Sequence, residues 1–167
     1  MALSMSQISV PVFVRRLKGL ASCLKKAQEL YAAKGYDEAS LLAYRFYPDM
    51  FTFARQVQVA TDHAKSCTAM LAGVENPKYE DNEKSLAELA ARVEKTVAWI
   101  ESVKPAQLDG SETKDVTVKT RDRELNMKGV DLLLHRSMPN FYFHVTTAYN
   151  IMRHNGVEIG KRDFMGN

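Results

Sequence analysis

The chain has 167 residues, of which 46% are hydrophobic and 26% are charged, and its formal net charge is +3. These values predict a single globular domain over residues 1–167 that buries its own core. The positive charge is dispersed, because the run Arg15-Arg16-Leu17-Lys18 faces several directions on a helix. The sequence lacks a clustered basic face with stackable aromatic residues, so nucleic-acid binding is not predicted.

The N-terminal segment does not read as a leader, because residues 1–10 are of mixed polarity and a basic run follows. No stretch of about 18 apolar residues occurs, so we expect neither a signal peptide nor a membrane span, and we interpret the chain as cytoplasmic. Cys23 and Cys67 do not form a CxxC pair. Each lies on or beside an apolar helix stripe, where a cysteine is commonly a small buried hydrophobe.

Four segments carry apolar residues at alternating steps of three and four, the spacing of a helix that buries one face. These apolar stripes cover residues 13–31, 53–71, 86–100 and 141–152. Four amphipathic helices bury their stripes best against one another, so the predicted fold class is all-α, a four-helix bundle. A shorter helix is expected within residues 37–46.

Capping residues predict where the long helices begin and end. The expected starts are Asp49 for the second helix, Asp81 or Asn82 for the third, and Ser137-Met138-Pro139 for the fourth. The expected ends are Gly35, Gly73, the residues before Pro105, and Asn155-Gly156.

The connection between the third and fourth helices breaks the helical pattern. Within residues 114–128, apolar and polar residues alternate on both sides of Thr120-Arg121-Asp122. This alternation predicts a short β-hairpin. After the fourth helix, residues 156–167 are expected to fold back, with Val157, Ile159 and Phe164 against the bundle.

The most distinctive sequence lies in the C-terminal quarter: PNFYFHVTTAY at residues 139–149, RHNGV at residues 153–157 and GKRDF at residues 160–164. Together with RQVQ at residues 55–58 and LAGVE at residues 71–75, it resembles a bacterial family of unknown function within the DinB/YfiT-like superfamily. The resemblance covers nearly the whole chain and implies a four-helix bundle.

The resemblance also implies where a metal could bind. Other members of the superfamily hold zinc or nickel with one histidine from the second helix and an HxxxH pair from the last, and several are thiol-dependent transferases or isomerases. Residues four apart share a helix face and can bind one ion. Here His63 and His144 occupy two of these positions, but Ala148 and Asn140 stand at the four-residue spacings from His144. The implied metal triad is therefore incomplete.

Each candidate has a structural alternative. His144 is a metal ligand, an acid–base group, or a core histidine that hydrogen-bonds a neighbour. For His63, the adjacent Asp62 and Lys65 indicate a helix side that meets water. A candidate ligand pocket comprises Gln56, Tyr142, His144 and Tyr149. The aromatic residues of the last helix cannot all point inward, so they also predict core and dimer contacts.

Two functions follow. The first is a non-catalytic or small-ligand-binding bundle protein, a homodimer without a cofactor. The alternative is a divergent metal-dependent enzyme of the thiol-transferase kind, which would use His63 and His144 with zinc or nickel.

Overall fold

The computed structural model describes residues 3–120 and 122–166. Arg121 at the predicted hairpin tip, together with Met1, Ala2 and Asn167 of the predicted terminal segments, lies outside the described residues. The helices are α1 (Met5–Lys34), α2 (Glu38–Leu42), α3 (Phe53–Ala72), α4 (Leu86–Ser102), α5 (Pro105–Leu108), α6 (Gly129–Asp131), α7 (Met138–His154) and α8 (Lys161–Met165). A 3₁₀ turn spans Ser111–Thr113, and a π-helical turn spans Leu132–Ser137. The strands are β1 (Asp115–Lys119) and β2 (Glu124–Lys128).

The structure is mostly helical with one antiparallel hairpin, as the sequence predicts. In the hairpin, Val116 faces Met127 and Val118 faces Leu125. The helices are more numerous than the sequence indicates, because α5, α6 and α8 are too short to show an apolar period. Among the described residues, no helix is long and apolar enough to cross a membrane.

The predicted ends of α1 and α3 are confirmed. Gly35 and Gly73 both adopt left-handed backbone conformations, with φ of 65° and 68°. A residue with a side chain rarely adopts this conformation, which is why glycine terminates both helices. At α3, Lys114 also donates from Nζ to the Met70 carbonyl at 3.1 Å, placing a positive charge at the negative end of the helix.

The predicted caps of α3 and α4 are wrong. Thr52 caps α3 by accepting from the Arg55 amide at 3.4 Å, and Ser85 caps α4 by accepting from the Glu88 amide at 3.1 Å. Asp81 is instead bound by the guanidinium groups of Arg55 and Arg92, so its carboxylate is not available as a cap.

The four long helices pack in a ring, with α1 against α4, α4 against α3, α3 against α7, and α7 against α1. Their apolar faces form one core cluster that extends from Met5 to Ile159. At its centre Phe13 and Phe141 meet edge to face, with ring centroids 5.0 Å apart. Phe141 is fully buried whereas Phe143 is 55% exposed, so the aromatic residues of α7 do face different sides.

The side of α3 that carries Asp62 and Lys65 is less exposed than the sequence-based interpretation indicates, because Lys65 is buried and Asp62 is half-buried. The segment of residues 74–85 covers it, and Lys65 is only 4% exposed. The buried guanidinium of Arg92 holds this segment against α3, because it binds Asp81 and Glu83 of the segment at 3.0 Å and 2.9 Å and Asp62 of α3 at 3.0 Å. A buried charge is tolerated where it is paired in this way.

The C-terminal segment folds back as predicted, with Val157 and Ile159 buried in the core. The ring of Phe164 in α8 packs against Tyr149, with centroids 5.5 Å apart. Helix α8 lies directly on Gly19 of α1, where an added Cβ would approach the Asp163 carbonyl oxygen to 2.8 Å. A residue without a side chain is therefore needed at position 19 of α1 for α8 to pack there.

Candidate functional site

Two distant histidines meet between α3 and α7. The ring centroids of His63 and His144 lie 5.8 Å apart, and their ring planes differ by only 13°. His63 is half-buried and His144 is buried. The structure thus brings together the two histidines that the resemblance singles out.

Gln56 orients the His144 ring. Gln56 lies on α3 two helical turns before His63. Its Oε1 lies 2.7 Å from Nδ1 of His144, and its Nε2 donates to the Phe51 carbonyl at 3.3 Å. A carbonyl oxygen only accepts, so Nδ1 of the neutral His144 carries the proton. The lone pair is then on Nε2, which has no hydrogen-bond partner among the described residues.

Both imidazoles are neutral near pH 7. Burial is the main cause that lowers the pKa of His63 to about 4, and repulsion from the protonated form of His144 and from Arg136 lowers it further. Burial likewise lowers the pKa of His144 to about 4, with a smaller contribution from Arg55. Burial disfavours the charged imidazolium, so the pair presents hydrogen-bonding nitrogens without a positive charge.

Two aromatic side chains flank His144 on a side that His63 does not line. The Phe51 ring is nearly parallel to His144, with centroids 6.1 Å apart, and the Phe143 ring meets it edge-on at 5.1 Å. This side opens into a cavity of about 280 Å³, which we call the aromatic cavity. Its lining residues are Asp49, Met50, Phe51, Gln56, Phe143 and His144.

His63 faces a second cavity of about 170 Å³, between α3, the hairpin and the π-helical turn. We call it the arginine cavity, because Arg136 of the π-helical turn lines it together with His63. Neither ring nitrogen of His63 has a hydrogen-bond partner among the described residues. The histidine pair therefore lies between two small cavities of different character.

The donors at the pair do not fit a three-ligand metal site. Zinc sites in proteins use three or four ligands from histidine, cysteine, aspartate or glutamate. Among residues 3–120 and 122–166, no three such side chains are grouped to hold an ion. At the four-residue spacings from His144, Ala148 is buried in the core and Asn140 donates its amide to the Arg136 carbonyl at 2.7 Å.

The other sequence-predicted candidates lie away from the pair. Tyr142 packs against Phe141, and Tyr149 lines a separate cavity with Phe164, so neither tyrosine lines the aromatic cavity. On a helix with 3.6 residues per turn, positions 142 and 149 both point well away from position 144, which explains the separation. Of the four residues of the candidate pocket, Gln56 and His144 are in contact.

The remaining histidines and the cysteines contribute no site. His135 lies 3.9 Å from Asp131 on the surface, and His154 packs beside Tyr44 at the end of α7. Cys23 and Cys67 are buried free thiols, and burial raises the pKa of both to about 12. Because the thiolate is the reactive form, neither cysteine is set up as a nucleophile.

Phe51 and Arg136 line the site but were not predicted. Phe51 lies in the irregular segment just before the Thr52 cap, where no period marks a side chain as facing inward. Arg136 follows the apolar run Leu132-Leu133-Leu134 and precedes Pro139. A lone charge between an apolar run and a proline was the signal that could have drawn attention to it.

Comparison with known proteins agrees with this architecture. A family model described as "Domain of unknown function (DUF1993)" matches residues 5–165. The chain belongs to this family. A crystal structure of a DinB family member protein from Shewanella denitrificans is similar to this DUF1993 chain, with 34% sequence identity and a TM-score of 0.86. The match covers 97% of this chain and 92% of that one. No curated protein matches the sequence.

These findings make the chain a DinB-like domain of unknown function, as the sequence resemblance indicates. The structure also explains two of the motifs that carry the resemblance. In RQVQ, Gln56 contacts His144, while Arg55 and Gln58 bind Asp81 and Glu83 of the covering segment. In LAGVE, Gly73 supplies the left-handed end of α3.

Proposed function

We propose that this DinB-like domain is a small-ligand-binding four-helix bundle, folded as one domain over residues 1–167, whose site is the His63–His144 pair. The supporting observation is that His144 is neutral, fixed by Gln56 and flanked by aromatic rings, with Nε2 free to accept a hydrogen bond. Small-molecule sites commonly combine apolar walls with a few oriented polar groups.

The chemistry of the aromatic cavity defines the ligand that fits it. Phe51 and Phe143 offer faces and edges for a flat apolar group. The lone pair on Nε2 of His144 accepts from a hydroxyl or N–H group of that ligand. A neutral aromatic ligand with one donor, such as a phenol, satisfies both features without placing a charge on the buried pair.

The metal-dependent alternative rests on two possible metal ligands, His63 and His144, whose rings lie close together. The carbonyl of Gln56 on Nδ1 of His144 is an arrangement also found behind metal-bound histidines, where it fixes the tautomer. The described residues supply no third protein ligand, so we assign no reaction step to a metal. A bound ion would need its further ligands from solvent or from the ligand itself.

Isothermal titration with phenol and with anisole tests the proposed function. The two probes have the same ring, but only phenol donates a hydrogen bond. Phenol is expected to bind with a dissociation constant in the millimolar range, as befits a ligand of its size. Anisole should bind about 2- to 10-fold more weakly, which corresponds to one neutral hydrogen bond.

Two variants complete the experiment. His144→Phe keeps a ring of similar size but removes Nε2, so phenol should no longer bind more tightly than anisole. His154→Phe, at the exposed end of α7, is the matched control and should keep the difference between the two probes. Equal binding of phenol and anisole by the unchanged chain would refute the assigned role of His144. Elemental analysis of untagged protein tests the alternative, which requires about one zinc or nickel per chain, lost in His144→Ala.

A further inference from the structure

Arg136 carries a positive charge into the arginine cavity. Its side chain is half-buried and lies close enough to His63 to lower the pKa of that imidazole. Within residues 3–120 and 122–166, the Arg136 guanidinium has no hydrogen-bond or ion-pair partner. By contrast, the buried guanidinium of Arg92 is bound by three carboxylates. A partly desolvated charge without a counter-ion is a place where an anion is stabilised.

The π-helical turn places Arg136 in this position. The Met138 amide donates to the Leu133 carbonyl, five residues back, and Pro139 has no amide hydrogen with which to form the ordinary four-residue bond. The proline therefore favours a widened turn just ahead of α7. Such turns are often found at functional sites because they move side chains out of the regular helical positions.

The other groups of the cavity favour a single negative charge. Asp62 is already bound by Arg92 at 3.0 Å and by Lys65 at 3.8 Å, but it still places a carboxylate in the wall. His63 is neutral near pH 7 and adds no positive charge. One guanidinium beside one carboxylate suits a monoanion better than a phosphate dianion.

The rest of the wall is largely apolar. Met70, Val118 and Leu132 line it, while the hydroxyls of Ser66 and Ser137 are engaged with Asn76 and Cys67. We propose that the arginine cavity binds the carboxylate of a small organic acid, with the carboxylate on the Arg136 guanidinium and a short apolar chain against these three side chains. Its volume of about 170 Å³ admits an acid of about four carbon atoms.

This inference deepens the proposed function and rests on it, because His63 forms part of the cavity wall. It names a short-chain carboxylate as the ligand class of that half of the site. The carboxylate and the guanidinium form two parallel hydrogen bonds, a geometry that an amide of the same shape cannot reproduce.

An NMR titration with butanoate, butanamide and inorganic phosphate tests the inference. The resonances to follow are the imidazole Cε1–H of His63 and the Nε–H of Arg136. Butanoate is expected to shift both, and butanamide to shift neither at the same concentration. Arg136→Gln should weaken butanoate binding about ten- to hundredfold, Arg136→Lys should weaken it less, and Arg153→Gln, at an exposed position on α7, should not change it.

Equal binding of butanamide and butanoate, tighter binding of phosphate, or unchanged affinity in folded Arg136→Gln would overturn the inference. Its failure is separable from that of the proposed function. If phenol still shifts the His144 resonance while butanoate shifts nothing, the carboxylate assignment is wrong and the proposed function stands. If butanoate binds through Arg136 and phenol does not bind, the assignment of His144 is wrong instead.

Discussion

Replacing Gln56 with glutamate should raise the pKa of His144. The substitution is close to isosteric and puts a carboxylate where an amide oxygen now lies 2.7 Å from Nδ1 of His144. An opposite charge at this distance favours the imidazolium by about 1–3 pKa units. Starting from a pKa of about 4, we expect His144 of Gln56→Glu to titrate between about 5 and about 7.

The assay is a pH titration of the Cε1–H resonances of all four histidines by NMR. His135 and His154 lie away from the pair and serve as internal references. Gln56→Met is the matched control, because it removes the acceptor without adding a charge, and its His144 pKa should not rise. Protonated His144 would in turn lower the pKa of His63, so the two should titrate as a coupled pair. An unchanged His144 pKa in folded Gln56→Glu would refute the geometry of the site.

Four further predictions concern stability and assembly. Phe141→Ala should lower the free energy of unfolding by about 3–5 kcal/mol because Phe141 is fully buried. Phe143→Ala should change it by less than about 0.5 kcal/mol because Phe143 is exposed, and equal effects of the two variants in urea denaturation would mean that the core is misassigned. Gly19→Ala should release α8, detected as faster amide hydrogen exchange over residues 161–165, and unchanged exchange would contradict the close approach. As the pH falls from about 6.5 to about 4, the unfolded chain binds protons at His63 and His144 that the folded chain does not bind. The free energy of unfolding should therefore fall by up to about 1.4 kcal/mol per pH unit for each histidine. Urea denaturation at several pH values measures this, and a flat profile would contradict the burial of the two histidines. Light scattering should give about twice the 18.8 kDa chain mass if the predicted homodimer forms, and a monomer mass would exclude it.

The long helices were predictable because burial of one face leaves a period of three and four that extends over many residues. Gly35 and Gly73 were predictable for a related reason, since a left-handed helix end strongly favours glycine. The caps were not. Asp81 looks like a capping residue, but a guanidinium from another helix binds its carboxylate, and no local pattern reveals that competition.

The site was only partly predictable. The resemblance pointed to His63 and His144, and the structure shows their rings together, but the periodicity alone gave no reason to pair residues so far apart in the chain. Phe51 and Arg136 escaped prediction because an irregular segment and a π-helical turn have no repeating pattern. His63 is half-buried, and the burial of its neighbour Lys65 was not predictable because the segment that covers Lys65 is held by a buried arginine on α4.

The most direct test of the account is to map phenol binding on the four histidines by NMR, using untagged protein. The account predicts that phenol shifts the imidazole resonances of His144 and, more weakly, of His63, while those of His135 and His154 stay unchanged. Shifts confined to His135 or His154, or no shifts at millimolar phenol where one ring and one hydrogen bond should suffice, would contradict the central claim that the His63–His144 pair binds a small ligand.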